Sequence, residues 1–260
     1  MDFVCGEHLA GRYCYTDPFK CYLHPLNTPK GYPLSLGSPP DHKHHKGLMF
    51  GLRTQQVNFW EEYGTKPGEL VGRQHHTGFA STVFAGDQVG FKESISWKAE
   101  DGSLLFLEHR TIHCAAEAGR FTWTWISDLQ AQQHLTLTIS QWSIPDRHGR
   151  LVNYHGLGLR FSRDFAGTGG DELLLDGKSV SIRDALGEQP DEVQFLGSLA
   201  STMPVKKAGV SLSAQPRTGL FVMREPFAFV SLGPTVLGGY DLRAGQYIRN
   251  AYIIKVFDLE

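Results

Sequence analysis

The chain has 260 residues, a formal net charge of −2, and 41% hydrophobic and 20% charged residues. The nearly balanced charge argues against a nucleic-acid binder, which usually carries a basic stripe, and no apolar run reaches the roughly 20 residues that cross a bilayer. Length and composition predict one soluble globular domain over residues 1–260.

The N-terminal region lacks the basic segment and the apolar stretch of a secretory signal. Three of the four cysteines lie there, and no two of the four have the Cys-x-x-Cys spacing of a metal or redox motif (Cys5, Cys14, Cys21 and Cys114). This usage favours reduced thiols in a cytoplasmic protein.

The segment from Asp41 to His45 places three histidines within four positions. If it is extended, His42 and His44 point the same way with their Cα atoms about 7 Å apart. If it is a helical turn, His42 and His45 pair at i, i+3 instead. Neutral imidazole is the commonest metal ligand and an effective acid/base group, and Asp41 is a candidate to orient one ring. The segment predicts metal binding, metal-free acid/base chemistry or a structural role, and it does not choose between them.

Aromatic and charged residues follow this segment. Trp60 is either a core residue or an exposed platform for a sugar ring, and the adjacent Glu61-Glu62 pair is a candidate for ligand contact. In the pair His75-His76 the two side chains face opposite ways on a strand, and we expect His76 to reach the pocket of His44.

The middle and end of the chain favour strands over helices. Phe121, Trp123 and Trp125 alternate with threonines, and glycine-containing turns separate such runs. We expect one short helix near Val180 to Leu186, and a closing strand from Tyr247 to Phe257. The prediction is an all-β fold, a large antiparallel β-sandwich with few short helices.

Polar side chains at two places in these strands are candidates for the site. Glu108 interrupts an apolar strand, where a carboxylate is either paired, here with Arg110, or has a raised pKa suited to general acid/base catalysis. Near residue 155, glycines allow close approach of neighbouring groups while Tyr154, His155 and Arg160 project polar heads.

Several motifs, in chain order, resemble the bacterial PmoA-like family, a domain of unknown function: His24-Pro25-Leu26, Pro29-x-Gly31, Asp41-His42-x-His44-His45-x-Gly47-Leu48, Asn58-Phe59-Trp60, Gly72-Arg73 with His76, Glu108-x-Arg110 and Gly156-Leu157-Gly158-Leu159-Arg160. The resemblance runs from about residue 20 to the C-terminus. It implies a supersandwich similar to galactose-mutarotase-like proteins, in which histidines and a carboxylate transfer protons to and from a bound sugar.

The resulting hypothesis is a carbohydrate-processing enzyme, an epimerase, mutarotase or lyase acting on a sugar or keto-sugar. The predicted catalytic residues are His42, His44, His76, His155 and Glu108. The predicted substrate-binding residues are Trp60, Arg73, Tyr154 and Arg160.

Two alternatives remain open. One is a metal-dependent sugar enzyme in which His42, His44 and His76 bind zinc or a similar divalent ion. The other is a non-catalytic carbohydrate-binding protein. The expected partner is a small-molecule carbohydrate rather than a nucleic acid or a membrane, and a homo-oligomer is compatible with the sequence.

Overall fold

The structure is a computed structural model that describes residues 1–85, 88–165 and 172–259. The described part contains the following elements: β1 (Asp2–Cys5), β2 (His8–Cys14), β3 (Tyr22–Leu26), β4 (Leu48–Gly51), β5 (Val57–Asn58), β6 (Leu70–Ala85), β7 (Gln88–Ala99), β8 (Leu104–Glu117), β9 (Arg120–Ala131), β10 (Leu135–Thr136), β11 (Ile144–Pro145), β12 (Leu151–Val152), β13 (Gly156–Arg160), β14 (Glu172–Leu175), β15 (Lys178–Ser179), α1 (Ile182–Ala185), β16 (Val193–Leu199), β17 (Lys206–Gln215), β18 (Gly219–Met223), β19 (Phe229–Gly233), β20 (Asp241–Leu242) and β21 (Tyr247–Leu259).

Two large sheets dominate the fold. A seven-stranded sheet has the order β1-β2-β3-β4-β13-β19-β18, and a ten-stranded sheet has the order β15-β14-β16-β17-β21-β9-β8-β7-β6-β5. The pairs in both sheets are antiparallel except β5–β6. The predicted all-β sandwich-like fold is therefore confirmed.

The core lies between the two sheets. Phe3 of the seven-stranded sheet meets Trp123 of the ten-stranded sheet with ring centroids 4.9 Å apart, and Phe50 meets Trp97 at 6.0 Å. These rings are almost fully buried. Alternate residues of each strand point into this core, which is why the sequence alternates so regularly.

The opposite face of the seven-stranded sheet carries a second apolar cluster. On β18, for example, Leu220 and Val222 point into the main core, whereas Phe221 packs outward with Trp60 and Phe229. We call this side the outer face of the seven-stranded sheet. Loops cover it, and their polar residues create the candidate site.

The structure confirms the predicted short helix and the predicted closing strand. Helix α1 lies inside the predicted range, with Ser181 as its N-cap accepting from the Asp184 N–H. Strand β21 covers the predicted closing strand. Cys14, Cys21 and Cys114 are free thiols, Cys5 Sγ lies 3.7 Å from Cys114 Sγ, and the cytoplasmic location stays a prediction. Within the described ranges no helix is long and apolar enough to cross a membrane.

Candidate functional site

A cavity of about 280 Å³ opens on the outer face of the seven-stranded sheet. Imidazole, carboxylate and phenol groups share it with a largely apolar wall. The lining residues are His42, His44, His45, Glu61, Tyr63, Trp142, Ile144, Tyr154, Phe221, Met223, Pro226, Phe227 and Phe229.

The three histidines reach the cavity from a tight turn between β3 and β4. The N–H of His42 donates to the Pro39 carbonyl at 3.0 Å, and the N–H of His45 donates to the His42 carbonyl at 2.9 Å. The helical-turn alternative therefore describes this segment better than the extended one. The rings of His42 and His45 stack at 4.9 Å, and His44 lies 4.5 Å from His45.

Buried lysines fix this turn to the loop after β5. Lys20, 1% exposed, donates from Nζ to the carbonyl oxygens of His44, at 3.2 Å, and of Trp60. Lys46 Nζ lies 3.1 Å from Glu62 Oε1 on the same loop. One ammonium thus joins the backbone of the histidine turn to the residue that precedes Glu61.

Burial keeps two of the imidazoles neutral. Loss of hydration, followed by the charge of Lys20, lowers the pKa of His44 to about 3. Loss of hydration, followed by the neighbouring His44, sets the pKa of His45 well below its ordinary value. At neutral pH both rings offer one N–H donor and one lone pair, and neither carries a charge.

His42 has a different environment at the edge of the cavity. Its Nδ1 lies 3.0 Å from Asp41 Oδ2, and this hydrogen bond is the main reason that the pKa of Asp41 is lowered. Arg160 Nη2 lies 3.3 Å from the same oxygen, and its guanidinium stacks on the Phe227 ring at 3.6 Å. With Nδ1 engaged by the carboxylate, Nε2 is the nitrogen of His42 that remains for a substrate.

Glu61 and Tyr154 form the other polar part of the lining. The Tyr154 hydroxyl donates to Glu61 Oε1 at 2.5 Å and lies 2.7 Å from Ser140 Oγ. Burial, followed by the Glu61 charge, raises the pKa of Tyr154. The second carboxylate oxygen, Oε2, is buried without a hydrogen-bond partner. A buried acceptor without a hydrogen bond destabilises the folded state, and a bound ligand that donates to this oxygen would remove that destabilisation.

A second residue of the lining also has an unpartnered polar atom, His45 Nδ1. The predicted substrate-binding residue Arg160 contacts Asp41 and Phe227 but is not part of the lining. Buried polar groups are normally hydrogen-bonded, so the free atoms of Glu61 and His45 in one lining favour a polar ligand.

A comparison with known protein families identifies the family of the chain. A family model described as "Family of unknown function (DUF6807)" matches residues 1–260. The chain belongs to DUF6807. No curated protein matches the chain. Membership confirms the prediction of a domain of unknown function, and the PmoA-like label stays a prediction.

In this DUF6807 chain the structure does not bring His76 and Glu108 to the cavity. Both lie between the two sheets. His76 Nδ1 contacts Glu93 Oε2 at 2.6 Å, and Glu108 binds Arg110 Nε at 2.8 Å and Trp97 Nε1 at 2.7 Å. The paired alternative for Glu108 is thereby confirmed. His76 misses the cavity because its position on β6 faces the core, whereas the cavity lies beyond the other sheet.

Three further predicted residues lie behind or away from the lining. Trp60 is fully buried and packs beside Gly158, so it is no exposed platform. His155 is fully buried, with its ring 5.4 Å from that of Trp60. Arg73 stacks on the Phe19 ring at 4.7 Å and donates to the Pro18 carbonyl at 3.0 Å.

The predicted metal ligands do not converge. His42 and His44 are neighbours, but His76 belongs to the interior network. In the part of the chain that the structure describes, no three His, Cys, Asp or Glu side chains are grouped so as to hold a metal ion. The residues present therefore do not fit the predicted zinc-type site.

Sequence reasoning missed several lining residues of this DUF6807 chain. Glu61 was identified only as a candidate ligand contact, and Tyr63, Trp142 and Phe227 were not identified. Their one available signal was an aromatic residue within a polar stretch, as at Trp142, between Gln141 and Ser143. Phe227 comes from the loop between β18 and β19, far along the chain from the histidines.

Proposed function

We propose that this protein is an enzyme that moves a proton to or from a carbohydrate or keto-sugar bound in the cavity, as an isomerase or lyase. The observation that carries the proposal is the pairing of an Asp41-oriented His42 with the unpartnered oxygen of Glu61 in the same apolar-walled cavity. Two groups able to accept and return protons are what epimerisation and elimination require.

The proposed roles follow from the environments. His42 Nε2 takes the proton from a carbon next to the sugar carbonyl, and the negative charge develops on the carbonyl oxygen. A neutral N–H of His44 donates to that oxygen. In an epimerisation, Glu61 takes up a proton from solvent and delivers it to the opposite face of the carbon. In an elimination, the β-hydroxyl group leaves with that proton as water.

The size of the cavity supports a small substrate. About 280 Å³ lies near the lower end of the range for small-molecule sites, which suits one sugar ring. A substrate that fills the cavity displaces water from the apolar wall, which strengthens hydrogen bonds to the developing charge.

The proposal is tested by following carbon-bound hydrogens by proton NMR in D₂O. Glucose, galactose, mannose and their 3-keto derivatives are incubated with the protein. Proton abstraction replaces a C–H signal by deuterium even without net turnover. We expect exchange on at least one keto-sugar, a decrease of about 10²- to 10⁴-fold in His42→Ala, and no turnover in His44→Ala. His8→Ala, at an exposed position, is the matched control. Exchange at equal rates in His42→Ala and the wild-type protein would refute the assigned role.

A second candidate function is carbohydrate binding without turnover. It is favoured by the exposed rings of Tyr63 and Trp142 at the cavity. It predicts sugar binding, measured by calorimetry, that survives His42→Ala and His44→Ala, with no deuterium exchange in any variant.

A further inference from the structure

Exposed apolar side chains stand at the mouth of the cavity. Trp142 is 48% exposed, Tyr63 52% and Ile144 36%, whereas Phe229 and Glu61 deeper in the cavity are 2% and 1% exposed. The other four tryptophans of the chain are at most 1% exposed. Large aromatic rings left half in water at a cavity mouth are a mark of ligand binding.

The two exposed rings stand on anchored loops. The N–H of Trp142 donates to Ser140 Oγ at 3.2 Å, and that hydroxyl also contacts Tyr154. The neighbouring Gln141 donates to the Thr65 carbonyl at 3.3 Å, which joins the loop of Trp142 to the loop of Tyr63. Both rings are therefore held next to the polar lining of the cavity.

We propose that the substrate is a glycoside of at least two sugar rings, with the inner ring in the cavity and the next ring against Trp142 and Tyr63. This inference rests on the proposed function, because the sugar chemistry is taken from it. A pyranose ring has an apolar face of C–H groups, and burying that face against an aromatic ring removes both surfaces from water. The inner ring meets the imidazoles and Glu61, while the outer ring meets a nearly uncharged rim.

Because Trp142 is the one exposed tryptophan of the five, its fluorescence can be followed separately from that of the others. Iodide quenches exposed tryptophans, so Trp142 supplies the quenchable fluorescence. Methyl α-glucoside is compared with maltose, methyl β-glucoside with cellobiose, and methyl β-galactoside with lactose. We expect at least one disaccharide to protect Trp142 from iodide, while its methyl glycoside binds by calorimetry without protecting it.

Variants separate the outer subsite from the cavity. Trp142→Ala should weaken binding of the protecting disaccharide by up to about tenfold, and by more than it weakens binding of the methyl glycoside. Trp142→Phe should keep most of the affinity, because it keeps an aromatic ring. Leu151→Ala, on the paired strand β12 and 52% exposed but outside the cavity lining, is the matched control.

Each outcome bears on the inference. Equal affinity for a disaccharide and its methyl glycoside, with no protection, would overturn the outer subsite and leave the proposed function standing. Protection that grows with protein concentration in the absence of sugar would overturn it in favour of a second copy of the chain. Binding of none of these methyl glycosides and disaccharides would overturn the two-ring substrate, whereas the deuterium-exchange experiment decides the proposed function separately.

Discussion

At the scale of single residues, burial sets the chemistry of the site more than residue type does. His42 and His44 are separated by one residue, yet His42 is held by a carboxylate near solvent and His44 is buried beside Lys20. A ring with a pKa of about 3 is a weak base, so the base in the proposal is His42. His44 is better suited to donate a neutral hydrogen bond.

Lys20 provides a test at this scale. Loss of hydration lowers its folded-state pKa to about 8, below the unfolded value of 10.5. Between these values the unfolded chain binds more protons, so Lys20 makes stability rise with pH by at most about 1.4 kcal/mol per unit. We expect Lys20→Met to lack this rise in urea unfolding at pH 8, 9 and 10. Lys43→Met removes an exposed lysine and should keep it. If the free energies of unfolding of the wild type and Lys20→Met rise in parallel with pH, the lowered pKa assigned to Lys20 is wrong.

At the scale of elements, glycines fix how the histidine turn meets the sheet. Gly47 has φ of +86°, and a Cβ there would lie 2.7 Å from the Leu23 carbonyl oxygen. Its own carbonyl accepts the Arg160 N–H at 3.0 Å, which joins the turn to β13. The turn therefore has one position relative to the cavity.

Gly31 has the same φ of +86° with no atom within 4 Å of an added Cβ, which makes it a matched control. Gly31→Ala should cost about 1–2 kcal/mol of backbone energy. Gly47→Ala should cost about 1–3 kcal/mol more, because a backbone oxygen must also move. Thermal and urea unfolding of the two variants measure the difference, and equal losses would show that the close contact is unimportant.

The strand pair β8–β9 offers a second element-scale test. Arg110 is fully buried and binds both oxygens of Glu108 at 2.8 Å, and it also contacts Tyr13, which donates to Glu93. Arg110→Met leaves buried carboxylates without their cation, and we expect a loss of about 3–5 kcal/mol in free energy of unfolding.

Arg120→Met, which breaks the exposed pair with Glu117 on the same hairpin, should change stability little. If the two arginine variants lose similar stability, the interior network does not support the fold as proposed.

At the scale of the whole molecule, buried neutral histidines make the free energy of unfolding decrease as the pH falls. Burial sets the folded-state pKa of His44, His45 and His155 below the ordinary 6.5. Below pH 6.5 the unfolded chain therefore binds protons that the folded chain does not, and stability is lost as pH falls. Each such proton contributes about 1.4 kcal/mol per pH unit.

Between pH 6 and pH 5, the pH dependence of urea unfolding should show that these three rings bind about three protons when the chain unfolds. If residues 1–260 form one domain, the unfolding should be one cooperative transition. His155→Leu should reduce the uptake by one. Leu151→Ala, at an exposed position without a titratable group, should leave it unchanged. An unchanged slope in His155→Leu would show that His155 is protonated in the folded protein.

Alternation of apolar and polar residues was enough to predict several strands and the apolar face of each. The alternation at Phe121, Trp123 and Trp125 became β9, with these residues almost fully buried, and the closing strand and the short helix lie where predicted. Side-chain alternation is a local consequence of backbone geometry, so it can be read without knowing the neighbours.

Which polar groups meet depends on long-range contacts and could not be predicted from the sequence. His76 and His42 both belong to histidine clusters in the sequence, but one faces the core between the sheets and the other lines a cavity on the outer face. Glu61 joins Tyr154 across 93 positions. Local pattern gives the face of a residue relative to its own strand, whereas sheet order, fixed by long-range pairing, decides what lies opposite that face.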